Sequence, residues 1–511
     1  MSLLNSLINW VNTKRIYQID LFRRYPIDVQ QETLMDLLKK ARYTTFGREY
    51  DFASMQTIKQ FQDRVPIQTY EQIKPYVDRL LKGERDLMWP GEIKWFAKSS
   101  GTTDSKSKFI PVSKDALEEC HFRGLRDVLA LYLRNNPSSQ ILKGKTLTLG
   151  GSHSVNQFNN DSFYGDLSAI LIENTPFWTD FQRTPKAEIA LIEEFEEKME
   201  KIIENSLNEN VTSIAGVPSW YLVLFKRILE VTGRNSILEV WPNLEAFIHG
   251  GVKFDPYREQ FQQMLPTSAM KYMEAYNASE GFFAIQDDPL SSEMLLMLDY
   301  GIFFEFLPMS ELHKEDPKAL TLADVEIGVN YALVISTNGG LWRYLIGDTI
   351  EFTSLNPCKI KITGRTKHFI NAFGEELIVD NAERALSLAC ERTGAVLHEY
   401  TAGPVFMDEN SRGAHQWIIE FEQMPDDVEH FVSILDDALK TLNSDYEAKR
   451  HKNLTLRRPE LIVAEKGLFY KWMKKRNKVG GQNKIPRLAN DRKYLDSLLQ
   501  TNESLKPVAI N

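Results

Sequence analysis

A stretch rich in hydroxyl side chains, SSGTTDSKSKFIP, runs from residue 99 to residue 111 and is the first candidate for chemistry. It places four hydroxyl residues around Gly101 and follows them with Lys106 and Lys108. Hydroxyls and backbone N–H groups donate hydrogen bonds, and glycine lets the backbone approach a ligand, which suits phosphate oxygens near cations. An ordinary surface turn is the alternative interpretation of this stretch.

Two better-known motifs are excluded. The stretch is not a Walker A loop, which needs a second glycine directly followed by lysine and serine or threonine. The segment GGSHS fails as a nucleophile elbow, because Ser154 stands where the closing glycine should be. These failures argue against a P-loop kinase and against a serine nucleophile of the elbow type.

Polar residues recur in four later stretches. These are YNASEGFFA (Tyr276–Ala284), LWRYLIGDTIEF (Leu341–Phe352), GRTK (Gly364–Lys367) and GGQNKIPRL (Gly480–Leu488). In order and spacing, the five stretches resemble the core motifs of the adenylate-forming superfamily, which includes acyl-CoA ligases, peptide-synthetase adenylation domains and firefly luciferase.

The closer resemblance is to the Gretchen Hagen-type acyl acid amido synthetases, an auxin-responsive and auxin-conjugating family. It runs from about Ile93 to Arg487. The residues that match the family's motifs are Ser99–Thr102, Lys106–Pro111, Tyr276, Ser279, Glu280, Tyr344, Gly347, Asp348, Gly467, Phe469, Gln482, Lys484, Pro486 and Arg487.

The resemblance implies a two-step ligase reaction. A carboxylate attacks the α-phosphate of ATP to give an acyl-adenylate and pyrophosphate, and an amine, typically an amino acid, then displaces AMP. The expected cofactors are ATP and Mg²⁺, and the expected partners are a small carboxylic acid and an amino acid or other amine.

The resemblance also implies roles for individual residues. Asp348 would accept from the ribose hydroxyls, Tyr276 would cover the adenine, and Glu280 would hold Mg²⁺ and act in catalysis. A strand-end aspartate, a buried strand tyrosine and a salt-bridged carboxylate are the respective structural alternatives. The full predicted nucleotide set is Ser99, Ser100, Gly101, Thr102, Thr103, Gly250, Gly251, Tyr276, Ser279, Tyr344, Asp348 and Arg365.

The predicted fold is mixed α/β, the adenylate-forming fold. A large N-terminal domain (1–363) of β-sheets, a small barrel and helices would bind the nucleotide and the acyl group. A hinge (364–368) containing Lys367 would connect it to a small mobile α+β domain (369–511), which would carry the catalytic Lys484.

The acyl pocket is the least defined part of the prediction. We expect it among Phe122, Arg123, Leu125, Arg126 and Trp220, although Arg123 and Arg126 are more ordinarily interpreted as solvent-facing arginines. The third motif reads Tyr-Leu-Ile-Gly-Asp rather than Tyr-Arg-x-Gly-Asp, and the arginine stands at position 343. This departure leaves the nucleotide prediction intact but argues against auxin and jasmonate as substrates.

Periodicity places these motifs on regular elements. Strands are predicted before residue 99 and over Leu341–Phe352, and a single amphipathic helix over Glu188–Leu207. A helix should begin at Asp380 and end before Gly394.

Composition bounds the class of protein. The 511 residues include 43% hydrophobic side chains and carry a net charge of −9, which argues against nucleic acid as a partner. Three cysteines without CxxC spacing favour a cytoplasmic compartment. No apolar run approaches the roughly 20 residues that span a bilayer. We expect a monomer that binds no membrane.

Two alternatives stay open. An acyl-CoA ligase would use the same scaffold with a thiol in place of the amine. A catalytically silent sensor would bind nucleotide or an acyl ligand, but the joint presence of Glu280, Asp348 and Lys484 argues against it.

Overall fold

The architecture comes from a computed structural model. It describes residues 3–100, 107–149, 156–158, 162–175, 182–192, 195–251, 254, 258–312, 314–366, 369–375, 377–407, 412–451, 455–475 and 487–501. The helices of these ranges are α1 (Leu3–Arg24), α2 (Pro26–Ala41), α3 (Thr45–Glu49), α4 (Ile58–Arg64), α5 (Tyr70–Leu80), α6 (Phe122–Asn135), α7 (Leu167–Asn174), α8 (Ala187–Ala190), α9 (Phe195–Ser206), α10 (Pro218–Thr232), α11 (Arg258–Met264), α12 (Val379–Thr393), α13 (Val428–Leu442), α14 (Ser444–Arg450), α15 (Leu468–Lys475) and α16 (Lys493–Leu499).

The strands build a mixed α/β fold, as predicted. They are β1 (Trp95–Ser100), β2 (Ser107–Val112), β3 (Lys145–Thr148), β4 (Asn156–Gln157), β5 (Phe163–Gly165), β6 (Arg183–Thr184), β7 (Val211–Gly216), β8 (Ala246–His249), β9 (Lys271–Ala278), β10 (Gly281–Ile285), β11 (Met294–Leu296), β12 (Ile302–Pro308), β13 (Asn330–Thr337), β14 (Tyr344–Leu355), β15 (Cys358–Arg365), β16 (Phe369–Ile370), β17 (Leu377–Ile378), β18 (Val396–Val405), β19 (Ala414–Gln423) and β20 (Glu460–Ala464).

Eleven of the described strands form one sheet in the order β12-β13-β14-β15-β11-β10-β9-β8-β7-β3-β6. Strands β3, β6, β7, β8 and β9 pair in parallel, and the rest of the sheet is antiparallel. Parallel neighbours need a crossover, and helix α10 supplies the one between β7 and β8. All five residues of β10 are buried, as expected of a strand covered on both faces.

The N-terminal helices pack in the same hydrophobic core as the first motif. The amide of Gln30 on α2 donates to the carbonyls of Leu298 and Ile302 and accepts from the backbone of Phe304. These contacts fix α2 on the edge strand β12. No helix in the described part of the chain is long and apolar enough to cross a membrane.

The C-terminal part has sheets of its own, β16-β17 and β18-β19-β20. Its helices α12 and α13 pack together and share a hydrophobic cluster with α10 and β7. The division at residues 364–368 stays a prediction, as does the mobility of the C-terminal part.

Two predicted elements differ from the structure. The single helix over Glu188–Leu207 is divided into α8 and α9, each of which buries its own apolar residues. Strand β14 begins at Tyr344 rather than Leu341, because Arg343 has a left-handed φ of 43° and interrupts the extended chain. Periodicity reports which face is apolar but does not detect such breaks.

Candidate active site

The first motif forms a β-hairpin. Strands β1 and β2 pair antiparallel, and Ser99 lies opposite Lys108. The predicted residues of the turn, Gly101, Thr102 and Thr103, lie outside the described part of the chain, as does Lys106. The side chains of Ser99 and Ser100 also lie outside it.

Lys108 is the cation of this motif that the structure describes. Its ammonium lies 5.7 Å from the centroid of the Tyr70 ring, and the Tyr70 hydroxyl accepts from the backbone N–H of Phe109 at 2.8 Å. Strand β2 is thereby held against α5, with a positive charge beside it.

Asp348 lies at a bulge in β14. Leu345 pairs with Val334 and Thr349 with Ala332, so β14 carries two extra residues in this interval. Gly347, with a φ of 96°, permits the turn of the backbone. Bulges commonly re-aim a side chain next to an active site, and here the buried Asp348 is aimed at residues of other strands.

Both oxygens of the Asp348 carboxylate are engaged. Oδ1 lies 2.8 Å from Nε of Arg365, its register partner on β15. Oδ2 accepts from the Tyr276 hydroxyl at 2.5 Å. Burial and the Asp348 charge hold the pKa of Tyr276 well above its usual value, so Tyr276 remains a donor. Since each oxygen has a second lone pair, Asp348 can still accept from a ligand.

The Tyr276 ring has little free surface. It is 6% exposed and packs edge-on against Phe283, with centroids 4.9 Å apart. In this conformation Tyr276 is an orienting partner of Asp348, and contact with adenine stays a prediction.

Glu280 and Ser279 form the two-residue loop between β9 and β10, because Ala278 pairs directly with Gly281. Burial raises the pKa of Glu280 to about 7; the Lys108 charge opposes the rise, and the Asp348 charge adds to it. A carboxylate in this setting favours a bound cation, which would restore its ionised form.

The donor set fits a hard divalent cation. In the part of the chain that the structure describes, no group of three or more His, Cys, Asp and Glu side chains is arranged to hold a metal. Mg²⁺ commonly binds through one or two carboxylates together with phosphate oxygens and water, so Glu280 alone suffices on the protein side.

Tyr344 has unused hydrogen-bonding capacity. Its side chain is buried, and its hydroxyl has no hydrogen-bond partner among the described residues. Burial raises the pKa of Tyr344 well above its usual value, and the charge of Glu280 adds to the rise. Gln68, whose backbone pairs with Tyr344, is also buried, and within the described ranges its Oε1 accepts no hydrogen bond.

The glycine pair lies beside the Tyr276 strand. A Cβ on Gly250 would stand 2.4 Å from the carbonyl oxygen of Ala275, and Gly251 has a φ of 80°. The close approach of β8 and β9 therefore requires glycine at 250, which accounts for this residue without a ligand.

The five predicted acyl-pocket residues are not brought together. Arg123 donates to the carbonyl of Asp299 at 2.8 Å, and Leu125 and Arg126 are exposed on α6. Phe122 packs on the core of the N-terminal helices, whereas Trp220 belongs to the hydrophobic cluster shared by α10, β7, α12 and α13. The Lys449 ammonium lies 4.2 Å from the centroid of the Trp220 ring. Helical position on α6 did not reveal which residues face outward.

Two predicted residues, Lys367 and Lys484, lie outside the described residues. The chain after Lys484 is anchored: Arg487 stacks on the Tyr400 ring at 4.7 Å, and its carbonyl accepts from the N–H of Ala402. Sequence interpretation missed Gln68 and Tyr70. Both lie in VPIQTY (residues 65–70), a segment in which only Pro66 stood out.

Three family models together match most of the chain. The GH3 family N-terminal domain matches residues 15–270, the central domain 295–365 and the C-terminal domain 380–493. The chain belongs to the GH3 family. The predicted family is thereby confirmed.

Curated GH3 relatives are named amido synthetases, ligases that form amide bonds. The chain is 23% identical to indole-3-acetic acid-amido synthetase GH3.3 of Arabidopsis thaliana, over 90% of this chain and 89% of the relative. It is 22% identical to jasmonoyl-L-amino acid synthetase JAR4 of Nicotiana attenuata, over 73% and 74%.

Solved structures share the fold of this GH3 chain. A GH3.15 acyl acid amido synthetase in complex with 2,4-DB gives a TM-score of 0.60 at 20% identity, with 93% of each chain covered. A 2-hydroxyisobutyryl-CoA ligase gives 0.52 at 14% identity, with 94% of this chain and 93% of that chain covered. The predicted adenylate-forming fold is thereby confirmed.

Proposed function

We propose that this protein is an ATP-dependent acyl acid amido synthetase. The observation that carries the proposal is the convergence of Asp348, Tyr276, Arg365 and Glu280, from three different stretches of the sequence, in a member of the GH3 family. The names of the relatives support amide formation as the reaction.

In the first step, a carboxylate oxygen of the acid attacks the α-phosphorus of ATP, and the bond to pyrophosphate breaks. Asp348 accepts from the ribose hydroxyls, and Tyr276 and Arg365 keep its carboxylate fixed. The hairpin of β1 and β2 donates to the phosphates, and Lys108 offsets their charge. Glu280 would hold Mg²⁺, whose charge favours departure of pyrophosphate.

In the second step, the amine nitrogen attacks the acyl carbon and loses a proton, and the carbon–oxygen bond to AMP breaks. Lys484 serves the first step from the C-terminal domain, which turns about Lys367 between the two steps. The attachment of Arg487 to β18, three positions after Lys484 in the sequence, supports the assignment of Lys484 to the C-terminal domain.

The substrates are a small carboxylic acid and an amino acid or other amine. We further propose that the protein acts as a monomer. We also propose that it acts in the cytoplasm, a reducing compartment in which its free cysteines at positions 120, 358 and 390 stay as thiols.

ATP–pyrophosphate exchange against a panel of carboxylic acids tests the proposal, because exchange requires reversible adenylation. At least one acid should support exchange, and Lys484→Ala should abolish it while ATP binding survives. A thioester as the product with coenzyme A, and no amide with any amine, would favour the acyl-CoA ligase instead. No exchange with any acid would contradict the proposal.

A further inference from the structure

A buried ion pair lies directly before the third motif. Nε and Nη2 of Arg343 each lie 2.9 Å from an oxygen of Glu305 on β12. The side chains are 5% and 1% exposed. We call this pair the Arg343 clamp.

The clamp also holds the end of helix α4. Nη1 of Arg343 donates to the carbonyls of Gln62 and Val65 at 2.9 and 2.6 Å, and the Gln62 amide donates to Glu305 at 2.8 Å. These carbonyls lie at the C-terminal end of the helix, where a cation is favourable. One guanidinium therefore ties α4 to the central sheet.

The backbone at the clamp continues the connection. The N–H of Gln68 donates to the carbonyl of Arg343, and the N–H of Leu345 donates to the carbonyl of Gln68, both at 2.8 Å. The left-handed φ of Arg343 is costly for a side chain that has a Cβ, and it persists only where the surroundings enforce it. The clamp and the Ser336 hydroxyl, which accepts from the N–H of Arg343, supply that enforcement.

We propose that Arg343 and Glu305 are positioning residues, which act by fixing Tyr344 and Gln68 at the edge of the nucleotide site. The Tyr344 hydroxyl and Gln68 Oε1, which have no partner among the described residues, are then the groups presented to a polar ligand. This inference rests on the proposed function. Buried ion pairs contribute little net stability compared with apolar residues of the same size, so stability alone is a weak reason for this one.

The test compares ATP affinity with stability in four variants. Arg343→Met should weaken Mg·ATP binding by about tenfold in calorimetry and lower the melting temperature. Arg343→Lys keeps the positive charge and should lose less ATP affinity and less melting temperature than Arg343→Met. The double variant Arg343→Met with Glu305→Gln should regain melting temperature, because no buried charge is left unpaired, while its ATP affinity stays weak. In pyrophosphate-exchange assays of Arg343→Met, the KM for ATP should rise by a larger factor than the factor by which kcat falls.

Arg450→Met is the matched control. Arg450 forms a comparable buried pair with Asp436 in the C-terminal part and also bonds the carbonyl of Leu456. Its loss should lower the melting temperature and leave ATP affinity unchanged. If ATP affinity fell in proportion to melting temperature in all four variants, the Arg450→Met control included, the inference would be overturned. A parent protein that binds no ATP would instead contradict the proposed function itself.

Discussion

The Tyr276 hydroxyl donates to Asp348 Oδ2 at 2.5 Å, although three strands separate β9 from β14 in the sheet. The contact requires the sheet to curl, so that distant strands meet over one cleft. Asp348 is aimed into that cleft by the bulge at Gly347, and the curl brings Tyr276 to it. The geometry of the site is thus a consequence of how the whole sheet bends.

Tyr276→Phe removes the donor and keeps the ring. A hydrogen bond to a charged group contributes roughly 1.5 to 3 kcal/mol, so KM for ATP in pyrophosphate exchange should rise by about tenfold or more. Tyr272→Phe, on the same strand and without a described role in the site, should leave KM unchanged. Equal effects of the two variants would show that the hydroxyl of Tyr276 does not position Asp348.

Gly347→Ala tests the bulge. A Cβ at this position has space, since its nearest neighbour is Thr366 Oγ1 at 3.7 Å, so the cost is backbone strain of about 1 to 3 kcal/mol. We expect a lower melting temperature together with weaker ATP binding. Gly328→Ala, with a φ of 78° and no atom within 4 Å of its Cβ, should lower the melting temperature only. Unchanged ATP binding in Gly347→Ala would refute the role of the bulge.

Glu280 sets the expected pH dependence. Its folded pKa of about 7 exceeds the ordinary value of 4.5, so the folded protein binds more protons than the unfolded chain between these values. The contribution of Glu280 to the free energy of unfolding is therefore fully present below pH 4.5 and is lost as pH rises through 7. Exchange needs the ionised carboxylate, so its rate should fall below about pH 7, and saturating Mg²⁺ should move the midpoint lower. A midpoint near 4.5 that Mg²⁺ does not move would contradict this assignment.

The charge of Lys108 affects the pKa of the Glu280 carboxyl group. Because its charge lowers the pKa of Glu280, Lys108→Met should move the midpoint of the exchange profile to higher pH. The control is Lys114→Met, an exposed lysine beyond β2 that pairs only with Glu118 in the described structure, and its profile should match the parent. A shift in both variants, or in neither, would argue against a specific Lys108–Glu280 interaction.

The sequence predicted the local features well. The strand before residue 99, the helix that ends before Gly394 and the family itself followed from periodicity, capping residues and motif order. The pairing of Asp348 with Tyr276 could not be predicted, because it depends on the curl of an eleven-stranded sheet. Gln68 was missed for a similar reason: its backbone bonds to Arg343 and Leu345 join residues more than 270 positions apart in the sequence. Tyr70 was missed because its contacts with Lys108 and Phe109 depend on how α5 packs on β2.

The most direct test of the account follows the oxygen of the acid. With an acid that supports exchange, labelled with ¹⁸O in its carboxylate, the protein should transfer one labelled oxygen to AMP when the amide forms, because that oxygen bridges the acyl carbon and phosphorus in the adenylate. Mass spectrometry of the AMP decides the matter. Label in AMP would support the central claim, whereas unlabelled AMP alongside a labelled phosphate or pyrophosphate would contradict it.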